Sequence, residues 1–211
     1  MATRKTLLEK WENHRRGRKR QKGLFLKTGE HGHAKKAAEH GRAMRKLRKL
    51  IERKTPLREK ALAVAEGLVG VMEQGGNNVG PMVEKIIRAN GGIPGEPWCG
   101  DFVAYCYRLA GSKAVTRSFA AVRLIRTVLG VRHTSSPKAG DVVTYVFDHT
   151  GLFARWLKPG DEGYTRPGDF EAIEGNTGAT GAVSDSSTGG DGVYRKVRNA
   201  DQVSEFLRVT R

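Results

Sequence analysis

The positive charge of this chain is concentrated at its N-terminal end. Of the net charge of +16, residues 1–60 carry +15, with 21 Lys and Arg against 6 Asp and Glu, and residues 61–211 carry +1. The second stretch has the apolar content of an ordinary folded domain, whereas the first does not. This change in composition predicts a basic helical extension over residues 1–60, followed by a folded domain over residues 61–211.

Helical patterns dominate the first two thirds of the chain. In the extension we predict helices over 3–22 and 34–54, separated by a glycine-punctuated loop over 23–33. Thr55 and Pro56 then form a typical helix start, with Thr55 as the N-cap, and an apolar stripe continues from Leu57 to Val71 before Gly75. Three further helices are expected: a short one after Pro81, one from Cys99 to about residue 110, and one over 118–129.

The pattern changes to period-two alternation after Pro137. It predicts strands over 141–147, 150–156, 170–174 and 193–198, a polar insertion over 154–169, and a loop rich in Gly, Ser and Thr over 175–192. Helices followed by strands, rather than alternating with them, are typical of an α+β domain.

Cys99 is the strongest candidate for a catalytic residue. It follows a loop rich in Gly and Pro and stands where a helical pattern begins, just after Trp98. A helix N-terminus carries partial positive charge, which favours a thiolate, and the thiolate is the nucleophilic form of cysteine. Trp98 is interpreted either as a wall of the substrate cleft or as a packing residue.

Polar residues that could complete a catalytic site lie on the predicted strands. His149 stands at a bend between two strands, and Glu174 and Asn176 lie near the end of a later one. A histidine could take the proton of the thiol, and a further polar side chain could hold its second ring nitrogen. Glu174 is favoured for that role over Asn176, and Asp148 is a third candidate although adjacent strand residues point to opposite faces.

The ordered motifs resemble those of the CHAP family, the cysteine, histidine-dependent amidohydrolases/peptidases of phage lysins and bacterial cell-wall hydrolases. The resemblance covers roughly residues 66–210 and implies a papain-like fold, with helices packed on a small antiparallel sheet, that cleaves amide bonds in peptidoglycan. It implies Cys99 as nucleophile, His149 as base, Glu174 as the residue orienting the histidine, and Asn176 as a further polar position. The matching stretches are 77–81, 95–99, 149–151 and 173–177.

The second cysteine, Cys106, is expected to be a buried core residue. Seven residues separate it from Cys99 on one helix, which at ~1.5 Å per residue is about 10 Å and too far for a disulfide. The histidines of the extension have no cysteine or acidic cluster nearby, and the acidic residues elsewhere lack the spacing of an EF-hand. We therefore expect two free thiols, no metal and no cofactor.

The partners of the chain follow from its charge and from the resemblance. The N-terminus lacks the apolar run of a signal peptide, and no stretch approaches the ~20 apolar residues of a transmembrane span. We expect a protein made in the host cytoplasm that acts on bacterial peptidoglycan, either as an endolysin or carried in a phage virion. The basic extension is expected to contact an anionic polymer or other virion proteins rather than specific nucleic acid, because few aromatic residues interleave its charges.

Two other functions remain open from the sequence. The first is a virion structural protein whose CHAP-like domain grips the wall with little cutting, for which the long basic extension is the main argument. The second is a basic protein that packages nucleic acid. Two bonds are candidates for cleavage, one within the stem peptide and one at its muramoyl end.

Overall fold

The structure, a computed structural model, describes residues 3–178 and 190–210. The chain divides into two compact units, Met1–Pro56 and Leu57–Arg211. Among the described residues, none of the helices combines the length and the apolar character needed to span a membrane.

The N-terminal unit is a pair of packed helices, α1 (Arg4–Thr28) and α2 (His31–Lys54). Thr3 caps α1, its hydroxyl accepting a hydrogen bond from the Thr6 backbone N–H at 3.2 Å. The predicted loop over 23–33 is wrong, because α1 continues through Gly23 and only residues 29 and 30 separate the helices. Gly29 has φ 69°, the left-handed conformation that commonly ends a helix.

The second unit begins with three helices, α3 (Leu57–Glu66), α4 (Pro81–Ala89) and α5 (Cys99–Leu109). The starts of α4 and α5 are as predicted, but α3 ends well before Gly75. Thr55 does not act as the predicted N-cap of α3: it ends α2, and its hydroxyl donates to the Ile51 carbonyl at 2.9 Å. The predicted helix over 118–129 is instead two 3₁₀ turns, Arg117–Ala120 and Val122–Thr127, separated by Ala121 in an extended conformation.

A six-stranded antiparallel sheet completes this unit, which is therefore α+β as predicted. The strands are β1 (Val131–His133), β2 (Val142–Tyr145), β3 (Thr150–Trp156), β4 (Asp169–Thr177), β5 (Gly192–Asn199) and β6 (Val203–Val209). The strand order is β1-β6-β2-β3-β4-β5, so the C-terminal strand β6 lies beside β2. Four strands, β2 to β5, correspond to predicted ones, whereas β1 and β6 were not predicted. Strand β4 extends into the segment 175–192 that was predicted to be a loop. Residues 179–189 of that predicted loop lie outside the described part of the chain.

Helix α5 lies at the centre of the core. Every residue from Cys99 to Tyr107 is buried, and the helix packs against α3, α4, β3 and β4. Alternation along β3 places Leu152 in the core beneath α5 and Phe153 in an aromatic cluster of its own. The first turn of α5 is thereby held against the end of the sheet where β2, β3 and β4 meet.

Candidate active site

Cys99 is the first residue of α5 and is 5% exposed. Its approach to the sheet depends on Gly175 in β4, where an added Cβ would lie 2.6 Å from the Phe102 side chain and 2.8 Å from Trp98. No side chain fits in that space, so a glycine is required for the start of α5 to pack on the strand. The predicted position of the Cys99 thiol at a helix start is therefore confirmed, and packing on β4 holds this thiol at the end of the sheet.

Trp98 lies beneath the site and is fully buried. Its indole N–H donates to Glu73 Oε1 at 2.9 Å, and Glu73 Oε2 accepts from the Asn78 backbone N–H at 2.8 Å. These contacts support the packing interpretation of Trp98 and fix the backbone just before Cys99. The suggested contact with substrate stays a prediction.

Asn176 contacts the chain before Cys99. With its amide oriented to satisfy its neighbours, its oxygen accepts from the Trp98 backbone N–H, and its nitrogen donates to the Asn78 side chain and the Gly190 carbonyl, each at 3.1 Å. The residue has φ 56°, a conformation that asparagine tolerates better than most side chains. These bonds give Asn176 a positioning role on the cysteine side of the site.

His149 lies directly before β3 and is 3% exposed. Its Nε2 is 3.0 Å from Glu174 Oε2, and its ring stacks on those of Tyr145 and Phe147 with centroids 5.8 and 6.2 Å away. Of the three candidates for its polar partner, Glu174 is the one that hydrogen-bonds the imidazole, whereas Asp148 is exposed. Gly151 makes this contact possible, because a Cβ there would lie 2.6 Å from Glu174 Cγ.

The pKa of His149 reflects its two polar neighbours. Burial by itself disfavours the charged ring, but hydrogen bonding and charge interactions with Cys99 and Glu174 outweigh it and raise the pKa of His149 to about 10. The imidazole is therefore protonated at neutral pH and lies in contact with both the thiol group and the carboxylate. A charged imidazole beside a cysteine is the arrangement that nucleophilic thiolates use.

Glu174 is fully buried and accepts hydrogen bonds on both oxygens. Arg198 donates to them in a bidentate manner, from Nε to Oε1 at 2.9 Å and from Nη2 to Oε2 at 2.6 Å, and the Tyr145 hydroxyl donates to Oε1 at 2.6 Å. Burial would raise the pKa of Glu174, but the bonds from Arg198 and His149 hold it well below its usual range. The carboxylate stays ionised beside the imidazole.

Arg198 and Tyr145 are residues of the candidate site that sequence reasoning missed. The Arg198 guanidinium lies over the rings of Tyr145 and Phe147, at 5.2 and 5.5 Å from their centroids, and is itself 5% exposed. A weak signal was present, because a buried glutamate requires a cation and the strand pattern of β5 contains three, Arg195, Lys196 and Arg198. Of these, Arg198 is the one that hydrogen-bonds Glu174. The ionised groups thus follow one another as His149, Glu174 and Arg198, with alternating charge.

Cys106 is a free thiol, like Cys99, and is fully buried within α5. Burial raises the pKa of its thiol far above the usual value, which disfavours the nucleophilic thiolate form. Among residues 3–178 and 190–210, no three His, Cys, Asp or Glu side chains come together as a group that could hold a metal ion.

Comparisons of the chain with protein-family models, with curated proteins and with solved structures each found no match. Function is therefore inferred from the geometry of the Cys99, His149 and Glu174 site.

Proposed function

We propose that this protein is a cysteine-dependent peptidoglycan hydrolase with a papain-like, CHAP-type domain. The observation that carries the proposal is the His149 imidazole, which interacts with Cys99 and hydrogen-bonds Glu174 at 3.0 Å. A nucleophile, a proton carrier and an orienting carboxylate in this order are what acyl transfer by a cysteine requires. The peptidoglycan substrate rests on the resemblance of the ordered motifs to the CHAP family.

The reaction would proceed in two steps. The Cys99 sulfur attacks the carbonyl carbon of an amide, and backbone N–H groups at the start of α5 stabilise the negative oxygen of the tetrahedral intermediate. His149 transfers its proton to the leaving amine as the C–N bond breaks, which leaves an acyl-enzyme. A water molecule, deprotonated by His149, then attacks the thioester carbonyl and releases the acid and the thiol.

Glu174 and Arg198 would act through the histidine in this mechanism. The carboxylate fixes the ring orientation and stabilises its charge, and the bidentate guanidinium fixes the carboxylate. Asn176 and Trp98 act on the other side by fixing the backbone that carries the nucleophile.

The helical pair α1 and α2 supports a second role in localisation. Its exposed faces carry most of the excess positive charge of the chain. We propose that it contacts an anionic wall polymer or acidic surfaces of a virion, in keeping with a phage lysin made in the host cytoplasm. Replacing Arg45, Lys46, Arg48 and Lys49 of α2 with glutamine is expected to reduce retention on purified walls at low salt and to flatten its salt dependence.

The catalytic proposal is tested with the full chain and two cysteine variants. Wild type, Cys99→Ala and Cys106→Ala are incubated with purified peptidoglycan, and the new ends are identified by mass spectrometry. We expect Cys99→Ala to abolish cleavage and Cys106→Ala, which alters the same helix seven residues away, to retain it. Free muramoyl carboxylates would identify an amidase, and new peptide amines and carboxylates an endopeptidase.

A virion structural protein that binds walls without cutting them is the alternative. It is favoured by the basic helical pair and would be supported if the wild type generates no new ends from several walls yet remains bound to them. Cleavage that persists in Cys99→Ala would instead refute the proposed nucleophile.

A further inference from the structure

A cleft of about 380 Å³ opens beside the candidate active site. It lies between the second 3₁₀ turn, Val122–Thr127, and the ends of β2 and β6. Its walls combine aromatic rings with charged side chains of both signs. The residues that bear on its chemistry are Arg123, Arg126, Tyr145, Phe147, Asp148 and Glu205.

The cleft adjoins the catalytic residues through two sets of contacts. Tyr145 and Phe147, which line it, are the residues whose rings stack on the His149 imidazole. On the cysteine side, the first 3₁₀ turn lies against α5, since a Cβ at Gly100 would be 2.1 Å from the Phe119 carbonyl oxygen. The segment 117–127 therefore runs from beside the first turn of α5 to the cleft.

The charges of the cleft are only partly paired. Arg126 lies 3.6 Å from Glu205 and forms an ion pair with it. Within the part of the chain that the structure describes, no hydrogen bond or ion pair involves the side chain of Arg123 or of Asp148. The cleft therefore offers one unpaired cation and one unpaired anion to an occupant.

We propose that this cleft binds a substrate residue that carries both a carboxylate and an ammonium group. Arg123 would bind the carboxylate, for which a planar guanidinium is suited, and Asp148 would bind the ammonium. The free end of a diamino dicarboxylic acid in a peptide stem has both groups on one carbon atom. This inference rests on the proposed function, because it names the substrate class that the same site selects.

The test compares three soluble muropeptides: one whose stem carries a diamino acid with a free amine and a free carboxylate, its carboxamide and its N-acetylated form. We expect the wild type to prefer the unmodified peptide, measured as kcat/KM. Arg123→Gln is expected to lower kcat/KM for that peptide about tenfold and to remove the preference over the carboxamide. Asp148→Asn is expected to remove the preference over the N-acetylated peptide. Arg132→Gln, an exposed arginine of β1 that does not line the cleft, serves as the matched control and should keep both preferences.

Failure of this inference can be told apart from failure of the proposed function. If the wild type cleaves the peptides and Arg123→Gln keeps the preference for the free carboxylate, the cleft assignment is refuted and the hydrolase remains. If the wild type cleaves none of them, the hydrolase proposal falls, and titration calorimetry with Cys99→Ala tests the cleft alone. Equal affinity of that variant for the unmodified peptide and the carboxamide would then overturn the inference, whereas tighter binding of the unmodified peptide would support it.

Discussion

Replacing Glu174 with glutamine removes one negative charge from the buried series His149, Glu174 and Arg198 while keeping the size of the side chain. The imidazolium and the guanidinium would then face each other across a neutral amide. Because both cations are almost fully buried, solvent screens their repulsion little. We expect the proton to leave His149 rather than Arg198, since arginine stays charged in proteins.

The structure indicates the size of the effect. The pKa of His149 is about 10, against about 6.5 for an ordinary histidine, and at about 1.4 kcal/mol per pKa unit this corresponds to roughly 5 kcal/mol in favour of the charged ring. Glu174 and Cys99 share the interactions that raise the pKa of His149, so loss of the carboxylate should remove about half of this free energy, or ~2.5 kcal/mol. The unneutralised Arg198 lowers it further, and we expect a pKa below about 8 in Glu174→Gln.

Two measurements follow this change. Proton NMR of the ring C–H signals, with His149 assigned from its loss in His149→Gln, reports the pKa directly and requires no activity. If the protein is a hydrolase that needs a protonated His149, the alkaline limb of kcat/KM should move down by about 2 pH units in the same variant. Glu171→Gln, on the same strand but paired with Arg155 at 2.9 Å, is the matched control and should leave both unchanged.

The stability of the protein should follow the same titration. A histidine with a raised pKa in the folded state contributes stability that is fully present below pH 6.5 and is lost as the pH rises through about 10. In Glu174→Gln this loss should be complete at a lower pH. A folded Glu174→Gln protein whose His149 still titrates above pH 9 would refute the assignment of Glu174 as the residue that stabilises the charged ring.

Three further changes test other parts of the site. Arg198→Met removes a buried cation, so we expect urea unfolding to show a loss of about 3 kcal/mol of stability. The pKa of His149 should rise in this variant, which is opposite in sign to the change in Glu174→Gln, and a fall in that pKa would contradict this account. Trp98→Phe loses the indole hydrogen bond to Glu73 and should cost about 2 kcal/mol, with unchanged stability as the contrary result. Gly100→Ala places a Cβ 2.1 Å from the Phe119 carbonyl oxygen and should destabilise the protein by more than 2 kcal/mol. The control Gly23→Ala, at a position inside α1 with open space around it, should stabilise its unit by about 0.5–1 kcal/mol. Equal thermal shifts in the two variants would contradict the packing described for Gly100.

Local signals in the sequence predicted the elements that depend on short-range geometry. Pro81 and Cys99 begin helices where expected, because a proline at a first helical position and the end of a Gly and Pro loop act within a few residues. The segment after Ser118 shows the limit of such signals. Its apolar spacing suits an α-helix, but Ala121 is extended and the chain forms 3₁₀ turns beside α5 instead.

The short edge strand β1 and the C-terminal strand β6 were missed for a related reason. Each is defined by its partners: β6 by pairing with β1 and β2, and β1 by three residues that pair with β6. Pairing over such long separations is not encoded in the alternation of either segment alone.

The sequence by itself determined the division of charge between a basic helical segment and an α+β domain, and the thiol at a helix start followed by His149 and Glu174. The tertiary structure alone decided which polar group contacts the imidazole, that Trp98 is buried, and that Arg198 completes the ionised series. Charge and helix signals act between neighbouring residues, and the sequence displays them directly. The contact between His149 and Glu174 depends on the register of β3 and β4 and on the space left by Gly151, and only packing of the folded chain sets these.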